Sequence, residues 1–121
     1  MTLERLRELC LSMPGATEQI QWGADLVFKV GGKMFCVACT ETRSDAPALS
    51  FKCDAERFAE LVERDGVRPA PYLARAKWVA LDRFDTLPVR ELTPLIEEAY
   101  AHVLAKLPKA TQRALKLASK S

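Results

Sequence analysis

Gly31-Gly32, set between two alternating apolar runs, constrains this chain more than any other feature. Consecutive glycines accept the positive φ angles of a tight two-residue hairpin turn, where a side chain would be sterically penalised. Residues 25–30 and 33–40 are therefore expected to be antiparallel partners, with Val30 opposite Lys33 and Phe28 opposite Phe35. Side chains alternate along a strand, so this register assigns Leu26, Phe28, Val30, Phe35, Val37 and Cys39 to a core face. Val27, Lys29, Met34, Cys36 and Ala38 fall on the other. That second face is half apolar, which suits an open sheet surface or one covered by a partner or a second protomer.

Around the hairpin the pattern alternates between helix and strand. Thr2 is a plausible N-cap for a helix whose Leu3, Leu6, Leu9, Cys10 and Met13 recur at helical spacing until Pro14-Gly15. Residues 16–22 read as a short edge strand, with Trp22 expected to cover the core. A polar loop at 41–46 leads to a strand over 47–53, with Leu49 and Phe51 inward and Ser50 and Lys52 outward. Asp54 caps a helix carrying Phe58, Leu61 and Val62 and ending near Asp65-Gly66. Pro88 opens the longest helix, whose stripe is Leu92, Leu95, Ile96, Ala99, Val103, Leu104 and Leu107, and Pro108 closes it. Residues 109–121 form a short basic helix through Ala114, Leu115 and Leu117, or fray. At 121 residues and 49% hydrophobic content, one domain with a modest core is expected. The class is α+β: two layers, an antiparallel sheet packed against helices.

No apolar leader or membrane-length run is present, so a cytoplasmic protein with no membrane partner is expected. The cysteines at 10, 36, 39 and 53 are then expected to be reduced, buried thiols. Cys36 and Cys39 have C-x-x-C spacing, but residues three apart on a strand point to opposite faces, and no second ligand pair follows. No metal or other cofactor is expected. His102, the only histidine, has no obvious partner, and Glu97 and Glu98 diverge by about 100° around a helix. Neither supplies a nucleophile with a base, Gly31-Gly32 lacks the rest of a phosphate loop, and no catalytic residue is assigned.

Charge, although only +2 overall, is segregated. Residues 53–65 and 84–100 are net acidic, 66–83 net basic, and 101–121 carry cations only. Within 67–82, Pro69 and Pro71 stiffen a loop holding Arg68, Tyr72 and Arg75, and residues 77–81 then alternate as a strand. Lys77, Val79 and Leu81 share one face, and Trp78 and Ala80 the other. With Lys29 and Lys33 on the hairpin and Lys52 on the next strand, these residues could join into one nucleic-acid surface. Its cations would hold phosphates, and Tyr72 or Trp78 would stack on a base. Exposed strand lysines equally serve to discourage edge pairing.

The ordered set P-G-A at 14–16, W-G at 22–23, F-K-V-G-G-K-M-F at 28–35, L-S-F-K at 49–52, R-P-A-P-Y-L at 68–73, K-W-V-A-L at 77–81 and L-I-E-E-A-Y at 95–100 resembles the YjbR/MmcQ family. Where similar chains commonly have serine before the late-helix tyrosine, this one has Ala99. The resemblance implies a fold like that of secretion chaperones, no catalytic motif, and a double-wing mode of DNA binding through paired hairpins. On this sequence the wing is Lys29 to Lys33 and the second basic element Arg68 to Lys77. The expected function is a small non-catalytic module for DNA. One competing reading is a protein-interaction or homodimer platform using Val27, Met34, Cys36 and Ala38. The other is a small-molecule or drug-binding protein with a pocket between sheet and helices near Trp22 and Trp78.

Overall fold

Thr2 accepts a hydrogen bond from the Arg5 N–H and starts α1 (Leu3–Ser12), which buries Leu6 and Cys10. The computed structural model describes residues 1–41, 46–71 and 73–119, the last four by backbone alone. The remaining elements are β1 (Ala16–Gln21), β2 (Asp25–Val30), β3 (Lys33–Cys39), β4 (Leu49–Lys52), α2 (Ala55–Leu61), β5 (Val67–Pro69), a 3-10 turn (Ala74–Ala76), β6 (Trp78–Leu81), α3 (Val89–Ala105) and α4 (Lys109–Ser119). All the strands join one six-stranded sheet in the order β1-β2-β3-β4-β6-β5. Each pairing is antiparallel, and the class is α+β as expected.

The helices lie on one side of the sheet. Leu6, Phe28, Phe51, Leu92 and Ile96, all fully or almost fully buried, fill the space between the two layers, and Leu115 of α4 packs at its edge. Asp54 caps α2 through the Arg57 N–H, and Pro88 precedes α3. The Tyr100 hydroxyl donates to the Pro14 carbonyl, tying α3 to the α1–β1 connection. Its ring meets Phe35 edge-on at 5.5 Å. Ala99, the departure from serine, is fully buried, where a methyl leaves no hydroxyl to satisfy.

The hairpin forms, but its register differs from the expected one. Val30 pairs with Lys33 and Lys29 with Met34, yet Phe28 pairs with Cys36, leaving Phe35 as the extra residue of a β-bulge. A bulge sets two residues against one and reverses the alternation beyond it. Phe35 and Cys36 therefore both enter the core, Ala38 follows them, and Val37 and Cys39 move to the opposite face. The sequence Lys33-Met-Phe-Cys-Val-Ala-Cys39 is apolar in either phase, so alternation alone did not specify where the phase changes. The expected interaction face changes with it. Cys36 and Ala38 are fully buried in the main core, Val27 is fully buried too, and Met34 alone of the four keeps exposure.

Two other placements differ. Trp22 does not cover the core: with φ 51, beside Gly23 at φ 86, it turns outward and is 68% exposed. Arg68 lies on edge strand β5 rather than on a loop, since Pro69 is tolerated at a sheet edge. Tyr72, most of the 41–46 loop and the Leu117 side chain lie outside the described residues. The face away from the helices is covered only in part. Ala70, Trp78 and Ala80 form a small cluster there, with Met34, Val37 and Leu73 against it.

Candidate functional site

The strand order decides which of the sequence-selected cations can meet. Lys29 is on β2 and Arg68 on β5, with three strands between them; at about 4.8 Å per strand their backbones are roughly 19 Å apart. Lys29 reaches toward Gln19 of its neighbour, Nζ to Oε1 3.4 Å. Arg68 is held by Asp82, Nε to Oδ1 3.3 Å, with both side chains about half exposed. Trp78 is 3% exposed, so neither face of its indole is open to a base. Arg75 is exposed on the 3-10 turn and has no ion-pair partner among the described residues.

A tighter grouping exists at one end of the sheet. Lys52, last residue of β4, donates its ammonium to the Ala76 carbonyl. The next residue, Lys77, has a left-handed backbone at φ 62 rather than belonging to the strand, and its ammonium sits 5.2 Å over the Phe58 ring. Burial, then the nearby Lys106, then Lys77 push the Lys52 pKa down, with only the Cys53 thiol acting the other way. No carboxylate figures among the groups acting on Lys52. The β2–β3 turn approaches the same end: a Cβ on Gly31 would fall 2.6 Å from a Leu107 methyl, so Lys33 emerges beside the end of α3 where Lys106 sits.

Lys33, Lys52, Lys77 and Lys106 thus come from four elements to one end of the sheet. The sequence supplied the first three; Lys106 was counted only among the cations of the tail. Its signal was the proximity of Pro108, which fixes where α3 stops and so where its last cation lies. A group of ammoniums attracts anions, and one member already weakened as a cation gains most from a phosphate beside it.

The thiols have a different geometry. Cys10, Cys36 and Cys53 are buried, and burial together with the adjoining Cys10 raises the Cys36 pKa well above that of a free thiol. Cys39 lies on the other face and donates to the Glu41 carbonyl at 2.9 Å, so the C-x-x-C pair diverges. All four are free. Glu98 is engaged by Arg57 at 3.1 Å and Glu91 by Arg64 at 3.0 Å, pairs that bridge α2 and its C-terminal turn to α3. No described helix is long and apolar enough to cross a membrane.

A six-stranded antiparallel sheet with helices on one side and lysines collected at one end is a small helix-on-sheet protein of the α+β class. The chain belongs to the YjbR family, whose model matches residues 11–102. It is similar to the uncharacterized protein YjbR of Escherichia coli (strain K12), 29% identical over 119 residues, which cover 95% of this chain and 98% of that relative.

Proposed function

We propose that this protein is a non-catalytic module that binds DNA through its phosphates at the end of the sheet formed by Lys33, Lys52, Lys77 and Lys106. Arg75 flanks the site. One observation carries this reading: the partly buried Lys52 ammonium is tied to the Ala76 carbonyl, next to Lys77, and the charges of Lys77 and Lys106 act on it with no carboxylate doing so. A phosphate there relieves mutual repulsion as well as forming its own contacts, whereas Arg68 already has its counter-ion in Asp82.

Contacts of this kind are largely independent of sequence and strongly dependent on salt. Fluorescence anisotropy with a labelled duplex tests them. Affinity is expected to fall steeply between about 50 and 200 mM salt. The Lys33→Glu, Lys52→Glu, Lys106→Glu triple variant, if its circular dichroism matches the wild type, is expected to lose binding. Absence of binding by the wild-type protein at low salt, or an unchanged isotherm for the folded triple variant, would overturn the reading.

A further inference from the structure

The face away from the helices holds a cavity of about 560 Å³, to which none of the four clustered lysines contributes. Ala70, 2% exposed, and Ser50, 9% exposed, lie deep in it; Met34, Val37 and Leu73 form apolar walls, and exposed Trp22 stands at the rim. This size falls within the range that encloses drug-sized ligands, and such pockets are mostly apolar with a few polar groups that fix orientation.

Ser50 is that polar group. Its hydroxyl has no hydrogen-bond partner among the described residues, although side-chain hydroxyls this deep are ordinarily bonded. No polar side-chain atom of the described residues is both sealed from solvent and unpartnered. The Ser50 oxygen is therefore reached from outside, by way of the cavity it lines. Trp22 is the second anomaly: a large indole held outward by a left-handed backbone conformation that non-glycine residues seldom adopt. Together they offer a flat apolar surface at the mouth and one donor–acceptor group inside. Asp25 also lines the cavity but is engaged within the protein, so among the described lining residues no ammonium or carboxylate stands free to favour a charged ligand.

We infer that the cavity binds a flat, uncharged, largely aromatic small molecule carrying one hydrogen-bonding group, its ring stacked on Trp22 and its polar group bonded to Ser50. The site is distinct from the DNA surface, and the two can fail separately. N-phenyl-1-naphthylamine, neutral, with a flat naphthalene ring and a single N–H, is a suitable probe. Titrated into the whole protein, it is expected to brighten saturably with one site per chain. Trp22→Ala and Ser50→Ala, which remove an exposed ring and a single oxygen, are each expected to weaken binding about fivefold. Val37→Trp, filling the cavity, is expected to abolish saturable binding with the thermal melt retained. If Val37→Trp fails to fold, the two alanine variants decide alone. No saturable signal from the wild type, or an affinity unchanged in both alanine variants, would overturn the inference. So would light scattering showing a dimer that the probe dissociates, since the cavity would then be a contact between copies of the chain.

Discussion

The two faces of the sheet belong to the same strands yet are finished in different ways. On the helix side, Phe28, Phe35 and Phe51 are fully buried, and four helices close over them. On the other side a short proline-containing connection and Trp78 cover only part of the surface, leaving Met34 and Val37 partly exposed around an open cavity. Burial of large side chains supplies stability in proportion to the area removed from water, so the first face should carry the fold. The second face and the adjoining lysine-rich end are freer to carry function, because a side chain that contributes little to packing can be chosen for what it binds.

Point substitutions sharpen this contrast. Phe35→Ala should be the most damaging, since the ring occupies the bulge, contacts Phe28 at 6.4 Å between centroids and meets Tyr100 edge-on. A loss of about 3–5 kcal/mol in urea unfolding is expected. Tyr100→Phe keeps the ring and removes only the bond to the Pro14 carbonyl, for a loss of about 1 kcal/mol in the same measurement. Met34→Ala on the open face should cost less than about 1 kcal/mol, because part of its surface is in water already. Equal losses for Phe35→Ala and Met34→Ala would break the comparison outright.

The smallest effect concerns the ion pair that joins the helical layer to edge strand β1. Arg7 donates to both Glu18 oxygens, Nε to Oε2 2.9 Å and a terminal nitrogen to Oε1 2.6 Å. Those hydrogen bonds, and the Arg7 charge, hold the Glu18 pKa below the usual carboxylate value. A depressed pKa contributes stability above the unfolded-state value, about 4.3 for Glu, and loses it as pH falls through the folded-state value. The stability difference between wild type and Glu18→Gln should therefore be small at pH 7, as for partly exposed pairs generally, and shrink further on acidification below about pH 4. A difference that grows on acidification would assign the wrong sign to the pair.

Much of the fold was legible because several local signals agreed. Thr2, Asp54, Pro88 and the Gly31-Gly32 pair each terminate or connect an element where the structure has a boundary. The inward placement of Leu49 and Phe51, and the split of Val79 and Leu81 from Trp78 and Ala80, follow from strict alternation. Alternation failed where it was ambiguous: residues 33–39 are apolar in both phases, and the bulge at Phe35 leaves no mark in sequence. Trp22 was not legible in the same way: a lone tryptophan beside glycine is equally compatible with a core lid and a rim residue, and only the left-handed φ distinguishes them.

The site was less legible than the fold, for a topological reason. Neighbours along the chain, such as Arg68 and Lys77, were grouped as one basic element, but β5 turns Arg68 to the sheet edge and to Asp82 while Lys77 reaches Phe58 of α2. Lys52 and Lys106, more than fifty residues apart, come together because β4 and α3 end at the same side of the molecule. The expected pocket between sheet and helices is occupied by the main core, and the open cavity lies across the sheet from it.

The salt dependence of duplex binding, compared across single lysine and arginine variants, tests the central claim most directly. Each phosphate contact contributes close to one unit of slope in log affinity against log salt. Lys52→Met and Lys106→Met should each lower that slope by about one, and Arg68→Met should leave it unchanged. Wild-type slopes in both lysine variants, with a reduced slope for Arg68→Met, would place the DNA at the β5 edge and contradict the assignment.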